Sequence, residues 1–377
     1  MDIDSSHSRK GPVEDGDAPL DTLIVGGGLS GLSIAAALER AGLRYRLIEA
    51  RERLGGRISS RAPRGHASSQ SVDLGPAWFW PGQPRMAALV RELGLQPFLQ
   101  HASGELGYED ERGRVHRGRG FSSMEGSYRL VGGFGRLIER LAQRLPRGSV
   151  ELGCAATRVE VESGQMRTTV ERADRAPTVV TSARVVLAIP PRVVAASVEL
   201  GSCVDARAIE AMRSISTWMA GNAKVVATYD RPFWREAGLS GDAMSRVGPL
   251  VEIHDASPSS GGPYALFGFV GVSVADRRDS RRLLEHVAAQ LARIFGAPAG
   301  TPLELILQDW ATEPQTATPL DHAPLSHHPK YGLPPALSSL CGGQLLLGST
   351  EIAPDFGGYL EGALEAAEHV ARRLTGS

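Results

Sequence analysis

Four stretches of the 377-residue sequence combine residue types whose spacing suits chemistry. In Gly26-Gly27-Gly28-Leu29-Ser30-Gly31, a GxGxxG spacing, Gly26 permits a tight turn and Gly28 lets the backbone approach a pyrophosphate. Gly31 lets a helix pack close to its strand, so that phosphates rest on the amides of the helix N-terminus. Glu49 follows eighteen positions after Gly31, where a carboxylate can accept from ribose hydroxyls. Next, Ala50-Arg51 to Gly55-Gly56-Arg57 supplies further donors and a second close backbone approach along an elongated dinucleotide. Lys224 sits in the middle of a strand-like run, Ala223 to Tyr229, where a charge is costly to bury unpaired and a pKa falls readily on desolvation. Last, Gly357-Gly358-Tyr359 places two glycines where a helix begins, although glycine loses more backbone entropy on ordering than any other residue.

The elements that must position these residues follow from periodicity. Leu23 to Val25 is a short apolar strand, Ser33 to Gly42 a helix closed by glycine, and Arg44 to Glu49 a second strand, together a βαβ unit with a right-handed crossover. Arg184 to Ile189, apolar without alternation and stopped by Pro190-Pro191, fits a parallel strand covered on both faces. Helices are expected at Met86 to Gly94 and Phe134 to Leu145, the latter with Leu137, Ile138, Leu141, Ala142 and Leu145 on one stripe. Strands are expected around Val159 to Val161, Thr168 to Val170, Val179-Val180, Ala223 to Tyr229 and Tyr264 to Val270. A helix from Arg281 to Phe295 and a strand from Leu303 to Leu307 follow. Gln344 to Leu347 and Tyr359 to Leu374 bring the chain back to the first sheet.

Composition narrows the partners. With 41 basic and 42 acidic residues the net charge is −1, which offers no electrostatic footprint for nucleic acid or an anionic membrane. No window approaches the roughly 20 apolar residues that span a bilayer. The start lacks the basic region and apolar core of a signal peptide, so residues 1–19 read as a disordered tail and a cytoplasmic location is expected. Cys154, Cys203 and Cys341 are odd in number and far apart, and read as buried thiols in a reducing compartment rather than a disulfide frame or zinc site.

The stretch from Leu23 to Gly42 followed by Leu47 to Arg57 resembles the FAD fingerprint of the flavin-containing amine oxidase family, and further blocks match that family in order. They are Val72 to Trp78, Val131-Gly132-Gly133, Val186 to Pro191, Gly221 to Lys224 with Arg231 to Trp234, the block around Trp310, and Ser349 to Gly362. The resemblance implies an α/β fold: a Rossmann-like FAD-binding domain (20–82, 127–213 and 313–377) interrupted by an α+β substrate domain with a mixed sheet (83–126 and 214–312). It implies transfer of a hydride equivalent from the carbon beside an amine nitrogen to flavin N5, with dioxygen as the acceptor that reoxidises the flavin.

By resemblance Lys224 holds a water near flavin N5, Tyr359 forms a wall of the substrate site, Trp310 packs near the flavin ring, and Glu351 lies near the ribityl and phosphate portion. Ala156 presents its backbone to the adenine side, and Ser30, Ala50, Ala77, Trp78, Thr350, Gly358 and Leu360 are further cofactor positions. Three departures accompany the match. Trp310 to Asp321 contains no cysteine, so FAD is expected without a covalent link. Thr316, Thr318 and Leu320 stand where relatives carry an aromatic opposite the tyrosine. Only 37 positions separate Leu95 from Gly132, where relatives insert a helical subdomain, and the glycines at 104, 107, 113, 118 and 120 read as a hairpin or loop. The departures leave two alternatives to an amine oxidase: a dehydrogenase of carbon–carbon bonds in an apolar substrate, and a non-catalytic FAD-binding scaffold. A substrate carboxylate would want an arginine clamp, and no such arginine stands out, since Arg85 and Arg235 both read as surface residues.

Overall fold

The structure, a computed structural model, describes residues 20–64, 70–323, 325 and 327–376; the tail expected at 1–19 lies outside them. Two large sheets carry the site. In the eight-stranded sheet Leu20–Val25 lies between Tyr45–Ile48 and Arg175–Leu187, parallel to both, with Leu345–Leu347 parallel to the end of the latter. The strand Arg175–Leu187 serves two neighbourhoods. Its first half pairs antiparallel with Gln165–Arg172, and its second half, with Val185, Val186 and Leu187 fully buried, is the parallel strand expected from its unbroken apolar run. Helix Leu29–Arg40 covers one face with the C-terminal helix Leu360–Thr375, so both ends of the chain share one core.

The seven-stranded sheet runs in the order Glu304–Asp309, Ala223–Tyr229, Tyr264–Val270, Leu250–Asp255, Leu239–Ser245, Glu105–Glu109, Val115–Gly118. It is mixed, because Leu239–Ser245 pairs in parallel with Glu105–Glu109 while its other pairings are antiparallel. All seven residues of Ala223–Tyr229 are buried, but to different faces. Ala223, Val225, Ala227 and Tyr229 pack under helix Ser280–Phe295, whereas Val226 joins Val72, Leu74, Trp78 and Phe267 on the side facing the first sheet. The period of two therefore turns Lys224 toward the space between the sheets.

Several elements depart from the sequence reading. Cys203 and Cys341 form a disulfide, with Cα atoms 4.9 Å apart, so the expectation of three unpaired thiols is corrected; Cys154 is the buried free cysteine. A separation of 138 positions hides such a pair from spacing rules. Helix Pro84–Glu92 falls in the segment expected in the substrate domain, yet its Met86 and Val90 share the core of Leu364 and Val370. The amide of Met86 and the Arg85 side chain bind the buried carboxylate of Glu361 on the C-terminal helix. Residues 104–120 form a hairpin, Glu105–Glu109 and Val115–Gly118, that extends the second sheet at its edge. The strand Leu239–Ser245 escapes sequence reading because serine, glycine and aspartate are poor strand formers; it holds because Asp242 and Ser245 find partners in Ser122, His254 and Glu109.

Candidate functional site

Between the two sheets lies a cleft of about 830 Å³. At one end the first strand delivers Gly26 and Gly28 to its wall, and helix Leu29–Arg40 starts there with no side chain capping its amides. Gly31 stands apart from the cleft in a packing role: a Cβ there would fall on the carbonyl oxygen of Gly26. Ser30 lines the cleft and donates its hydroxyl to the Gly348 carbonyl, tying the fingerprint to the C-terminal strand. Glu49 is buried at the same end. Its Oε2 accepts from the Gly27 amide at 2.7 Å and its Oε1 from the Arg51 amide at 2.9 Å, so the acid is oriented by the turn it follows. Ala50, Arg51 and Ala156 complete this end, with Arg51 held by Glu313 and Thr316.

The middle is dominated by an ion pair. Arg57 lines the cleft beside Gly56 and binds Glu351 through two contacts of 2.6 and 3.2 Å. Glu351 is 0% exposed and lies behind the lining, where its carboxylate holds Arg57. Burial disfavours the charge on Arg57, but Glu351 more than offsets it and raises the pKa. Ser349 and Thr350 line the wall nearby, and the Ser349 hydroxyl is buried without a hydrogen-bond partner, a polar group left for a ligand.

At the far end Lys224 is 3% exposed and lines the cleft. Its Nζ donates to the Gly75 carbonyl at 3.1 Å and lies 3.9 Å from the centroid of the Phe267 ring and 5.9 Å from that of Trp78. Burial pushes its pKa down to about 7, against the pull of Asp73 upward, with Arg129 adding to the fall. Ala77, Trp78 and Trp310 stand on the same wall, the indole of Trp310 donating to the Leu74 carbonyl at 3.2 Å. Tyr359, 39% exposed, caps the C-terminal helix, whose first residue Leu360 also lines the cleft. Gly358 has φ +82°, and a side chain on Gly357 would strike the Tyr331 ring, which accounts for the glycine pair.

The segment 310–321 brings no ring to Tyr359, as its sequence implies, but other segments do. Trp80 meets it edge-on at 6.4 Å and His328 stacks on it at 5.0 Å with planes 15° apart, while Trp218 abuts His328; Trp80 and Trp218 both line the cleft. Trp80 and Trp218 come from segments remote from Trp310 in sequence, while His328 follows shortly after the block 310–321. Neither Arg85 nor Arg235 reaches the site. Arg85 binds Glu361 and Glu368, Arg235 binds Asp255, and the basic residues lining the cleft among the described residues are Arg51, Arg57 and Lys224.

The residues present fit FAD. Helix amides and an oriented carboxylate occupy one end, rings and a titratable amine the other, and an orphaned hydroxyl lies between. The free thiol Cys154 lies beside Glu49, far from Trp310, and residues 310–323 contain no cysteine, so the cofactor is held non-covalently. No group of residues suited to a metal ion occurs among the described residues, nor any helix long and apolar enough to cross a membrane.

Comparison with known proteins agrees. Residues 24–93 match an NAD(P)-binding Rossmann-like domain. A Mycobacterium tuberculosis protein named as a flavin-containing monoamine oxidase, AofH, is 25% identical over 94% of this chain and 96% of its own length. That alignment runs over 458 positions, more than the 377 residues here, so the relative carries segments with no counterpart in this chain. A Dictyostelium discoideum protein named as flavin-containing monoamine oxidase A is 23% identical over 94% and 97% of the two lengths. Putrescine oxidase bound to putrescine shares the fold, with a TM-score of 0.77 at 20% identity over 96% of this chain and 100% of that one. Cyclohexylamine oxidase from Brevibacterium oxydans IH-35A does so with 0.76 at 18% over 95% and 99%. Residues 119–375, most of the chain, match the family described as flavin containing amine oxidoreductase. The protein therefore belongs to the flavin-containing amine oxidase family and is an FAD-dependent oxidoreductase.

Proposed function

We propose that the protein oxidises a primary or secondary amine at the carbon beside nitrogen, with Lys224 and Tyr359 at the reacting end of the cleft. The observation that carries this reading is Lys224: a buried amine on a rigid strand, close to neutral pH in its titration, among the Trp78, Phe267 and Trp310 rings. Bound FAD supplies the redox chemistry, accepting a hydride equivalent from the substrate and passing its electrons to dioxygen to give hydrogen peroxide. The chain supplies binding and orientation. Lys224 is anchored by one donated hydrogen bond to Gly75, and its remaining valences can hold a water against the cofactor. Tyr359, Trp80 and Trp218 wall the amine approach and limit water there.

An amine suits the site better than an amino acid. Arg51 and Arg57 are engaged by Glu313 and Glu351, so that among the described residues no arginine lines the lysine end to clamp a carboxylate. The carbon–carbon dehydrogenase alternative drew support from the missing aromatic partner of Tyr359 and from the shortened segment between Leu95 and Gly132; Trp80, edge-on to Tyr359 in the cleft, weakens the first ground and leaves the second. The imine formed takes up water and releases ammonia or an amine, so aerobic turnover should yield one carbonyl compound, or the cyclic imine that it forms with a second amine, per peroxide. A product with a new carbon–carbon double bond and neither carbonyl nor imine refutes the reading. The cytoplasmic location was inferred in part from unpaired cysteines, and the Cys203–Cys341 bond takes that part of the inference away.

A further inference from the structure

Two carboxylates line the cleft among the described residues, Glu49 at the fingerprint and Glu252 in the row of Lys224. Lys224 lies opposite Phe269, Phe269 opposite Glu252, and Glu252 opposite Met244, a single row across four neighbouring strands. Opposed residues of antiparallel strands share a face, and Lys224, Phe269 and Glu252 all line the cleft. Strands lie about 4.8 Å apart, so the backbones of Lys224 and Glu252 are separated by roughly 10 Å with an aromatic ring between them.

Glu252 is fixed in place. Its Oε1 accepts from the Ser123 hydroxyl at 2.6 Å and from His254 Nε2 at 2.9 Å, while His254 Nδ1 donates to Asp242 at 2.7 Å and Ser122 donates to the other oxygen of Asp242. A ring bonded to carboxylates through both nitrogens donates from both and is an imidazolium. Burial opposes that charge, but the bonds to Asp242 and Glu252 outweigh it and raise the His254 pKa; the His254 bond in turn holds Glu252 below the usual carboxylate range. Two carboxylates around one imidazolium leave a net negative charge. Glu252 Oε2 accepts no hydrogen bond from the described residues, and the side chain is 26% exposed, so it is reachable from the cleft.

We propose that Glu252 is a specificity residue that binds a second, distal ammonium of the substrate, so that the preferred substrates are diamines or polyamines, with Phe269 flanking the carbon chain between the two nitrogens. This rests on the amine-oxidase reading above. A hydrogen bond from an ammonium to a preoriented, partly desolvated carboxylate gives discrimination that a neutral hydroxyl cannot match.

The test compares anaerobic reduction of the wild-type flavin by an α,ω-alkyldiamine, the amino alcohol of equal length and the alkyl monoamine. The expected result is an apparent Kd for the diamine lower than that of the amino alcohol by about tenfold or more, with that ratio falling toward one in Glu252→Gln. Equal affinity for diamine and amino alcohol in the wild type, or an undiminished ratio in a flavin-loaded Glu252→Gln, overturns the proposal while leaving the amine-oxidase reading intact. If Glu252→Gln does not retain flavin, the wild-type ratio decides alone. Failure of every amine to reduce the flavin overturns both.

Discussion

Replacing Lys224 with methionine exchanges a buried amine for an apolar chain of similar length, and the structure fixes how the effect must vary with pH. The lysine pKa falls from 10.5 to about 7, chiefly through burial. At about 1.4 kcal/mol per pKa unit, the protonated form is disfavoured in the folded protein by about 5 kcal/mol relative to the neutral one. Below about pH 7 both folded and unfolded chains carry the proton and the full penalty applies. Between about pH 7 and 10.5 the unfolded chain binds a proton that the folded chain does not, so rising pH stabilises the wild type. Methionine has no such dependence. The stability of Lys224→Met minus that of the wild type should therefore shrink by about 2 kcal/mol between about pH 7 and 9, other titrations cancelling in the difference. Urea unfolding of both flavin-loaded proteins at the two pH values measures it. A difference that stays constant shows that the folded pKa of Lys224 is not lowered into this range, and refutes the reasoning.

Arg57→Met leaves the carboxylate of Glu351 buried without its partner and should destabilise the protein by about 3–5 kcal/mol, with a lower flavin-to-protein ratio after purification; unchanged melting and flavin content count against the pairing. Gly31→Ala drives a methyl group onto the Gly26 carbonyl and should yield protein without flavin, whereas full flavin loading contradicts the close helix–strand approach. Thiol titration of the unfolded, unreduced protein should find one free cysteine, Cys154, and a count of three refutes the Cys203–Cys341 bond.

Local pattern and spacing brought together Gly26, Gly28, Glu49, Gly56 and Arg57, which all line the cleft; they lie within one βαβ neighbourhood, where a turn, a helix start and a strand end suffice to place them. The strand Ala223–Tyr229 was also legible, but which face Lys224 takes emerges only from the packing of Ala223, Val225, Ala227 and Tyr229 under helix Ser280–Phe295. What escaped depends on contacts between distant segments. The ion pair of Glu351 with Arg57 spans 294 positions, and the burial of that carboxylate is invisible in sequence. The rings around Tyr359 come from positions 80, 218 and 328, each in a connecting segment without regular periodicity. Glu252 and His254 lie in a strand that the sequence reading left unassigned, and they meet Asp242 and Ser123 only once Leu239–Ser245 has entered the sheet.

The central claim is that an amine reaches a non-covalently held FAD beside Lys224 and Tyr359. Its most direct test is anaerobic mixing of the flavin-loaded wild-type protein with monoamines, diamines and polyamines while the visible absorbance of the flavin is followed. The account predicts that at least one amine bleaches the flavin fully, with one amine oxidised per flavin reduced. A fully loaded flavin that dithionite reduces but no amine does contradicts it.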